Sequence, residues 1–359
     1  RFGHTLKLNA AGDIIVIGAW SADTFGGNWG EIQIWAFDAT TNLWAQVGSD
    51  LGVETVQSQN PWFGYHVDIS ALGDFVITSS GLSTDQQPAG FARVYTWPTI
   101  TVTTTVVPEE ETKFGHATSL SGDGKVLAVG EYQYNNSSGQ VVVYAWDSAW
   151  QVRDTLSAQA EGDKFGISVV LNNDGSMLAV GATSHDSNGT KNTGQVRVYA
   201  WNGSTYEPHS TIDGAGLDEE IGVSVDFNSD GSVLAIGSQK TPQSIKDAYT
   251  LVYDADGNYS YTHPDGLDLP TFTGFVRVYS WDGTAWVPRG SGLDGEAESE
   301  RFGFAIALSA DANVLVIGAW SGDQIATNSG YARAYVWNGS DWVQQGNDFL
   351  GTRVNDRRG

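Results

Sequence analysis

Phe165-Gly166-Ile167-Ser168-Val169-Val170-Leu171-Asn172-Asn173-Asp174-Gly175-Ser176-Met177-Leu178-Ala179-Val180-Gly181 is the stretch whose reading decides the fold. An aromatic-Gly pair opens an alternating segment, a short polar turn follows, and an apolar run closes on Gly. Asp-Gly supplies the positive φ that a tight hairpin needs, so the two runs read as antiparallel strands. Gly194-Gln-Val-Arg-Val-Tyr-Ala-Trp201 then gives a third strand, β-branched and aromatic, and an Asn-Gly turn leads into a fourth.

The same order of events opens at Phe2, Phe63, Phe114, Ile221 and Phe302 as well. In the third copy the strands are expected at 116–119, 126–129, 140–146 and 150–156. A period of about fifty residues signals an array or a propeller. Four antiparallel strands per copy, repeated radially, let each sheet bury both faces and leave only short edges. The expected fold is therefore an all-β β-propeller of four-stranded blades in a single domain, 1–359. Its repeats lie near 1–61, 62–113, 114–164, 165–220, 221–301 and 302–359; six are visible, and seven blades are possible if one is missing. Trp201 with Tyr206, Trp281 with Trp286 and Trp337 with Trp342 flank turns at a spacing that sets them close across a hairpin. Most of the 14 Trp recur at one position per copy, which favours packing between blades over sugar stacking.

Composition narrows the partners. A net charge of -24 opposes nucleic acid and anionic membranes, and no stretch is apolar enough to insert into a bilayer. With no cysteine there is neither a disulfide framework nor a thiolate metal site. Acidic residues gather before the openings: Glu109 to Glu111, Glu161 with Asp163, Asp218 to Glu220, and Asp294, Glu296, Glu298 and Glu300. The plain reading of these is a solvated rim. Six glycosylation sequons fall at Asn135, Asn136, Asn188, Asn202, Asn258 and Asn338, types of residue that also crowd turns. The chain begins with the repeat under way and stops where another Phe-Gly would come, as a mature or excised piece of a longer precursor would.

Phe-Gly, then Leu-Ser-x-Asp-Gly, then Leu-Ala-Val-Gly-Ala resembles the FG-GAP repeat of integrin-α-like propellers over the whole chain. The clearest matches run from Phe114 to Gly130, Phe165 to Ala182 and Phe302 to Ala319. The resemblance implies a non-enzymatic module for adhesion or assembly, extracellular or at the cell surface. Its partner would be a protein or glycan, a neighbouring copy or another part of a precursor. It also implies calcium in the first turn, but this chain departs from that pattern. Asp123, Asp174 and Asp230 sit on turns too short to gather six to eight oxygens, and Leu127, Leu178 and Leu234 take the later acidic position. Those Asp are expected to form turns, and no cofactor is expected.

Variable loops on a rigid scaffold carry binding. Here these are the connections from second to third strand, near 20–29, 81–89, 131–138, 182–193, 238–273 and 320–329. Trp20, Trp29, Trp62 and Trp320 are the candidates for a lectin or glycan-processing enzyme in these loops, the alternative to adhesion. The insertion at 240–272 in the fifth repeat is expected to form an extra hairpin, whose Tyr249, Tyr253, Tyr259 and Tyr261 would contact a partner. Asp254, Asp256 and Asn258 fit the opening of a calcium loop but lack its later acid, so they are weak metal candidates. Arg93, Arg197, Arg277 and Arg333 share one position on the third strand and are expected in ion pairs between blades. His4 and His116 are equivalent with His66 one residue displaced, a poor arrangement for one metal.

Overall fold

In the computed structural model the described residues are 5–20, 30–52, 62–80, 90–99, 101–106, 114–242, 250–253, 259–262 and 272–351. They form six four-stranded antiparallel blades, one per repeat, and the fold is a six-bladed β-propeller. The third blade comprises Ala117–Leu120, Val126–Glu131, Gln140–Asp147 and Ala149–Ser157, within two residues of the expected bounds. In the fifth and sixth blades the fourth strand is broken in two, as Trp286–Pro288 with Leu293–Asp294 and Trp342–Gln344 with Phe349–Leu350. The insertion contributes a separate two-stranded sheet, Thr250–Tyr253 against Tyr259–Thr262, which is the expected hairpin. The chain divides into two compact units, 1–180 with 198–209, and 181–197 with 210–359.

One device sets the first turn of every blade. Asn9, Ser70, Ser121, Asn172, Asn228 and Ser309 each accept, through the side-chain oxygen, the amide five residues on, which opens the second strand. The turn Asp completes it: Asp123 accepts from Lys125 N, Asp174 from Ser176 N and Asp230 from Ser232 N, each at 2.8 to 3.0 Å. These carboxylates form turns, as their sequence suggested. Hydrogen bonds from Ser232 and its amide hold the Asp230 carboxyl below its ordinary value.

The core lies between successive blades. In unit 1, Val16, Ile32 and Ile34 of the first blade pack with Phe63, Val67, Ile69 and Val76 of the second. In unit 2, Val233, Ala235 and Val276 pack with Phe302, Leu315 and Ile317. The opening aromatics Phe63, Phe114, Phe165 and Phe302 are at most 1% exposed. Burying each contributes about 1.5–3 kcal/mol.

The glycine beside each aromatic has a steric cause. A Cβ on Gly166, whose φ is +87°, would stand 2.6 Å from Gln140 O of the preceding blade. One on Gly130, closing that blade's second strand, would stand 2.1 Å from Gly166 O. Two blades touch here backbone to backbone, and only glycine leaves room. Further out, rings and fourth strands lock the blades. Arg153 lies 3.6 Å from the Trp201 ring centroid, and Asp154 accepts from Thr205 Oγ1 and Tyr206 N, both at 2.7 Å. In unit 2, Arg289 lies over Trp337 and Trp286 Nε1 donates to Ser210 Oγ. Packing is thus the role of the repeated rings.

Candidate functional site

Three positions per repeat meet where the first strand begins and the second ends. The first is the residue before the opening pair, held in left-handed backbone: Trp62 (φ 49°), Lys164 (57°), Glu220 (49°) and Arg301 (55°). Four unlike side chains share it, so the conformation belongs to the repeat and is no mark of a strained site. The second is the third residue of the opening segment, Tyr65, His116, Ile167, Val223 and Phe304, and the third follows the second strand, Trp20, Tyr132, Thr183, Gln239 and Trp320.

In unit 1 these positions build a continuous row of rings across three blades. Trp20 lies 4.6 Å from Trp62, Trp62 stacks on Tyr65 at 6.2 Å and 17°, Tyr65 lies 5.4 Å from His116, and His116 meets Tyr132 at 4.6 Å, edge on. All five rings are half-buried. Such a strip can take a flat or ring-shaped ligand along its faces.

Ionisable groups lie beside the row on the first strands. His66 Nδ1 is 2.9 Å from Thr118 Oγ1. Burial, then the charge of Lys7, pushes its imidazole down to about 4, so it is neutral near pH 7. Burial raises Asp68 although Lys7 and the amides of Leu120 and Ile69 oppose the shift. The Asp68 carboxylate bridges blades by accepting Leu120 N at 2.8 Å. Burial, with Tyr132 in second place, pushes the Tyr65 hydroxyl up to about 12. The site therefore combines neutral imidazole, un-ionised phenol and an exposed lysine.

Of the residues singled out in the sequence, Trp20 and Trp62 come together here. Trp320 lies in unit 2, stacked on Phe304 at 5.6 Å. Tyr253 and Tyr259 are register partners in the inserted hairpin and Tyr261 pairs with Leu251. Trp29, Tyr249, His4, Asp254, Asp256 and Asn258 lie outside the described residues. Among the described residues no group of three His, Asp or Glu could hold a metal ion. Asn135, Asn136 and Asn188 are exposed, while Asn202 and Asn338 accept amides of their own turns.

Two readings of charged residues change. The acids before the openings are not simply a solvated rim: Asp163, Glu219 and Glu300 are at most 5% exposed. Glu219 accepts the amides of Ala215 and Gly216, and Glu300 those of Glu296 and Ala297, so these carboxylates brace the connection from fourth to first strand. The arginines pair mainly within blades. Arg277 meets Asp294 at 2.6 Å, Arg333 meets Asp348 at 2.7 Å, and Arg93 donates to Thr105; Arg333 to Glu296, at 3.5 Å, reaches the neighbouring blade.

Tyr65, His116 and Tyr132 were not singled out as binding residues. The signal that finds them is alignment of the six repeats at a fixed offset from Phe-Gly, where rings cluster in some copies and Ile167, Thr183, Val223 and Gln239 stand in others.

No family model matches the sequence, and no curated protein matches it. Solved structures do. A candidate 6-phosphogluconolactonase from Bacteroides uniformis matches with a TM-score of 0.61 at 10% identity, over 98% of this chain and 87% of that one. Another from Bacteroides fragilis matches with a TM-score of 0.57 at 10% identity, over 98% and 85%. At that identity the likeness establishes the fold.

These matches correct the family reading. The fold is shared with proteins named for a lactonase, and the Phe-Gly and closing Gly that suggested an FG-GAP, integrin-α-like repeat are explained by blade packing. The same likeness to structures named for a lactonase runs against the non-enzymatic adhesion module and the extracellular or cell-surface location expected from the sequence.

Proposed function

We propose that this protein is a sugar-processing enzyme that hydrolyses a cyclic sugar ester, with the row from Trp20 to Tyr132 as its site. The observation that carries the reading is the row itself: five half-buried rings with imidazole and hydroxyl groups interleaved. Rings pack against the C–H face of a sugar, and the polar groups between them orient its oxygens. The lactonase names of the similar structures supply the reaction class.

In this reading His116 is the base. It stands in the row between Tyr65 and Tyr132, whereas His66 is tied to Thr118 and, at about 4, is a weak base near pH 7. His116 takes a proton from water as the oxygen attacks the lactone carbonyl. The ring C–O bond then breaks, and the proton passes to the departing ring oxygen, giving the open hydroxy acid. Tyr65, un-ionised, donates a hydrogen bond to the developing oxyanion.

The test is acid release from glucono-δ-lactone and its 6-phosphate, measured in a pH-stat above the spontaneous rate. Wild type should accelerate at least one of them. His116→Asn should lower kcat at least about 100-fold, in line with a lost general base, and Trp62→Ala should mainly raise KM. No acceleration of either lactone by correctly folded protein would sink the reading.

A further inference from the structure

Of the arginines that share one position on the third strand, three are engaged by side chains of their own blade. Arg333 forks onto Asp348, with Nε to Oδ1 at 2.7 Å and Nη2 to Oδ2 at 2.8 Å. Arg277 meets Asp294 at 2.6 Å, and Arg197 donates to Gln195. Arg93, in the second blade, makes only half of such a fork. Its Nε donates to Thr105 Oγ1 at 3.0 Å, and among the described residues no acceptor meets its two terminal nitrogens.

The strand register explains the difference. Asp348 precedes Phe349, which pairs with Ala332 beside Arg333, and Thr105 precedes Val106, which pairs with Ala92 beside Arg93. Thr105 therefore stands where the sixth blade has its aspartate, and one hydroxyl replaces two carboxylate oxygens. The second strand changes with it. Arg277 and Arg333 pair there with Ile236 and Ile317, whereas Arg93 pairs with Thr78, whose buried hydroxyl has no hydrogen-bond partner among the described residues. A buried polar group kept without a partner points to a ligand that supplies one. The Arg93 guanidinium is half-buried, 5.2 Å from the Phe91 ring centroid and 5.8 Å from that of Phe63, and Thr105 beside it is exposed.

We propose that Arg93 binds the carboxylate of an organic acid from outside the chain, in the place that Asp348 fills in the sixth blade. The terminal nitrogens of Arg93 donate to the carboxylate, and Thr105, which accepts from Nε, still has its own hydrogen to give. A monoanion is favoured over a phosphate dianion, because one guanidinium must hold it against a net charge of -24. This site does not depend on the hydrolytic reading.

Sodium acetate titrated into the intact, isotope-labelled protein, with sodium chloride at matched ionic strength as control, provides the test by nuclear magnetic resonance. The Arg93 Nε–H signal, identified by its loss in Arg93→Gln, should move and saturate with a midpoint below about 0.1 M, as a charge-assisted fork requires. The signals of Arg277 and Arg333, which already hold carboxylates, should stay where they are. Thr105→Asp should bring the Arg93 signal near its saturated position without acetate and remove the response. The wild-type titration decides even if that variant fails to fold. Three results would overturn the proposal: an Arg93 signal that follows chloride as closely as acetate, inorganic phosphate binding more tightly than acetate, or a wild-type signal already saturated before acetate is added, since the chain would then supply its own acid.

Discussion

Single residues carry the repeat, and the glycines show how. Gly166→Ala places a Cβ 2.6 Å from Gln140 O at a φ of +87°, so strain and clash add. A loss of at least about 2 kcal/mol is expected by urea denaturation. Gly203, at a φ of +103° with nothing within 4 Å of its would-be Cβ, provides the contrast, and its Ala variant should lose only about 1 kcal/mol. His66 gives a pH signature. Its folded value near 4 lies below the ordinary 6.5, so the unfolded chain takes up the proton first, and this contribution to stability is lost as pH falls from 6.5 toward 4. Asp68, raised by burial, acts in the opposite sense and softens the loss. His66→Gln should therefore lose less stability than wild type between pH 7 and 4.5 in matched thermal melts; an identical pH slope would contradict the assignment.

Elements were legible in the sequence wherever local chemistry specified them. The turn after Leu171 announced itself through Asp174 and Gly175, which the structure uses as expected, and Asn172 adds a contact to Met177 N that the sequence reading did not name. The inserted hairpin was legible through its two alternating tyrosine segments around a polar turn. What stayed hidden depends on partners distant in sequence. Glu219 and Glu300 looked like surface charge, because nothing near them announces that a loop will turn its amides inward. The row from Trp20 to Tyr132 draws on three repeats, so reading one repeat at a time dispersed it. Asp154 is a similar case, a fourth-strand acid that accepts from Thr155 N on its own strand and from Thr205 and Tyr206 in the next blade. Asp154→Ala leaves Thr205 Oγ1 and Tyr206 N without that acceptor, and about 1–3 kcal/mol should be lost, read as a lower denaturation midpoint at constant m.

Across the whole molecule, the family reading failed for a physical reason. Phe-Gly with a later Gly is what blades need where backbones touch, so it specifies packing and says nothing about what the loops do. Net charge, by contrast, acts at long range whichever loops carry the chemistry. At -24 the protein repels an anionic substrate before any local contact forms. The Debye length is about 30 Å at 0.01 M salt and about 10 Å at 0.1 M, so this repulsion is largely removed over that range. A neutral lactone feels none of it. If the row in unit 1 hydrolyses sugar lactones, kcat/KM for glucono-δ-lactone should stay flat between 10 and 200 mM salt, whereas kcat/KM for its 6-phosphate should start lower and rise severalfold. Salt that instead depressed turnover of the phosphorylated lactone would mean that a cationic pocket captures the phosphate, and the neutral sugar ester would no longer be the favoured substrate.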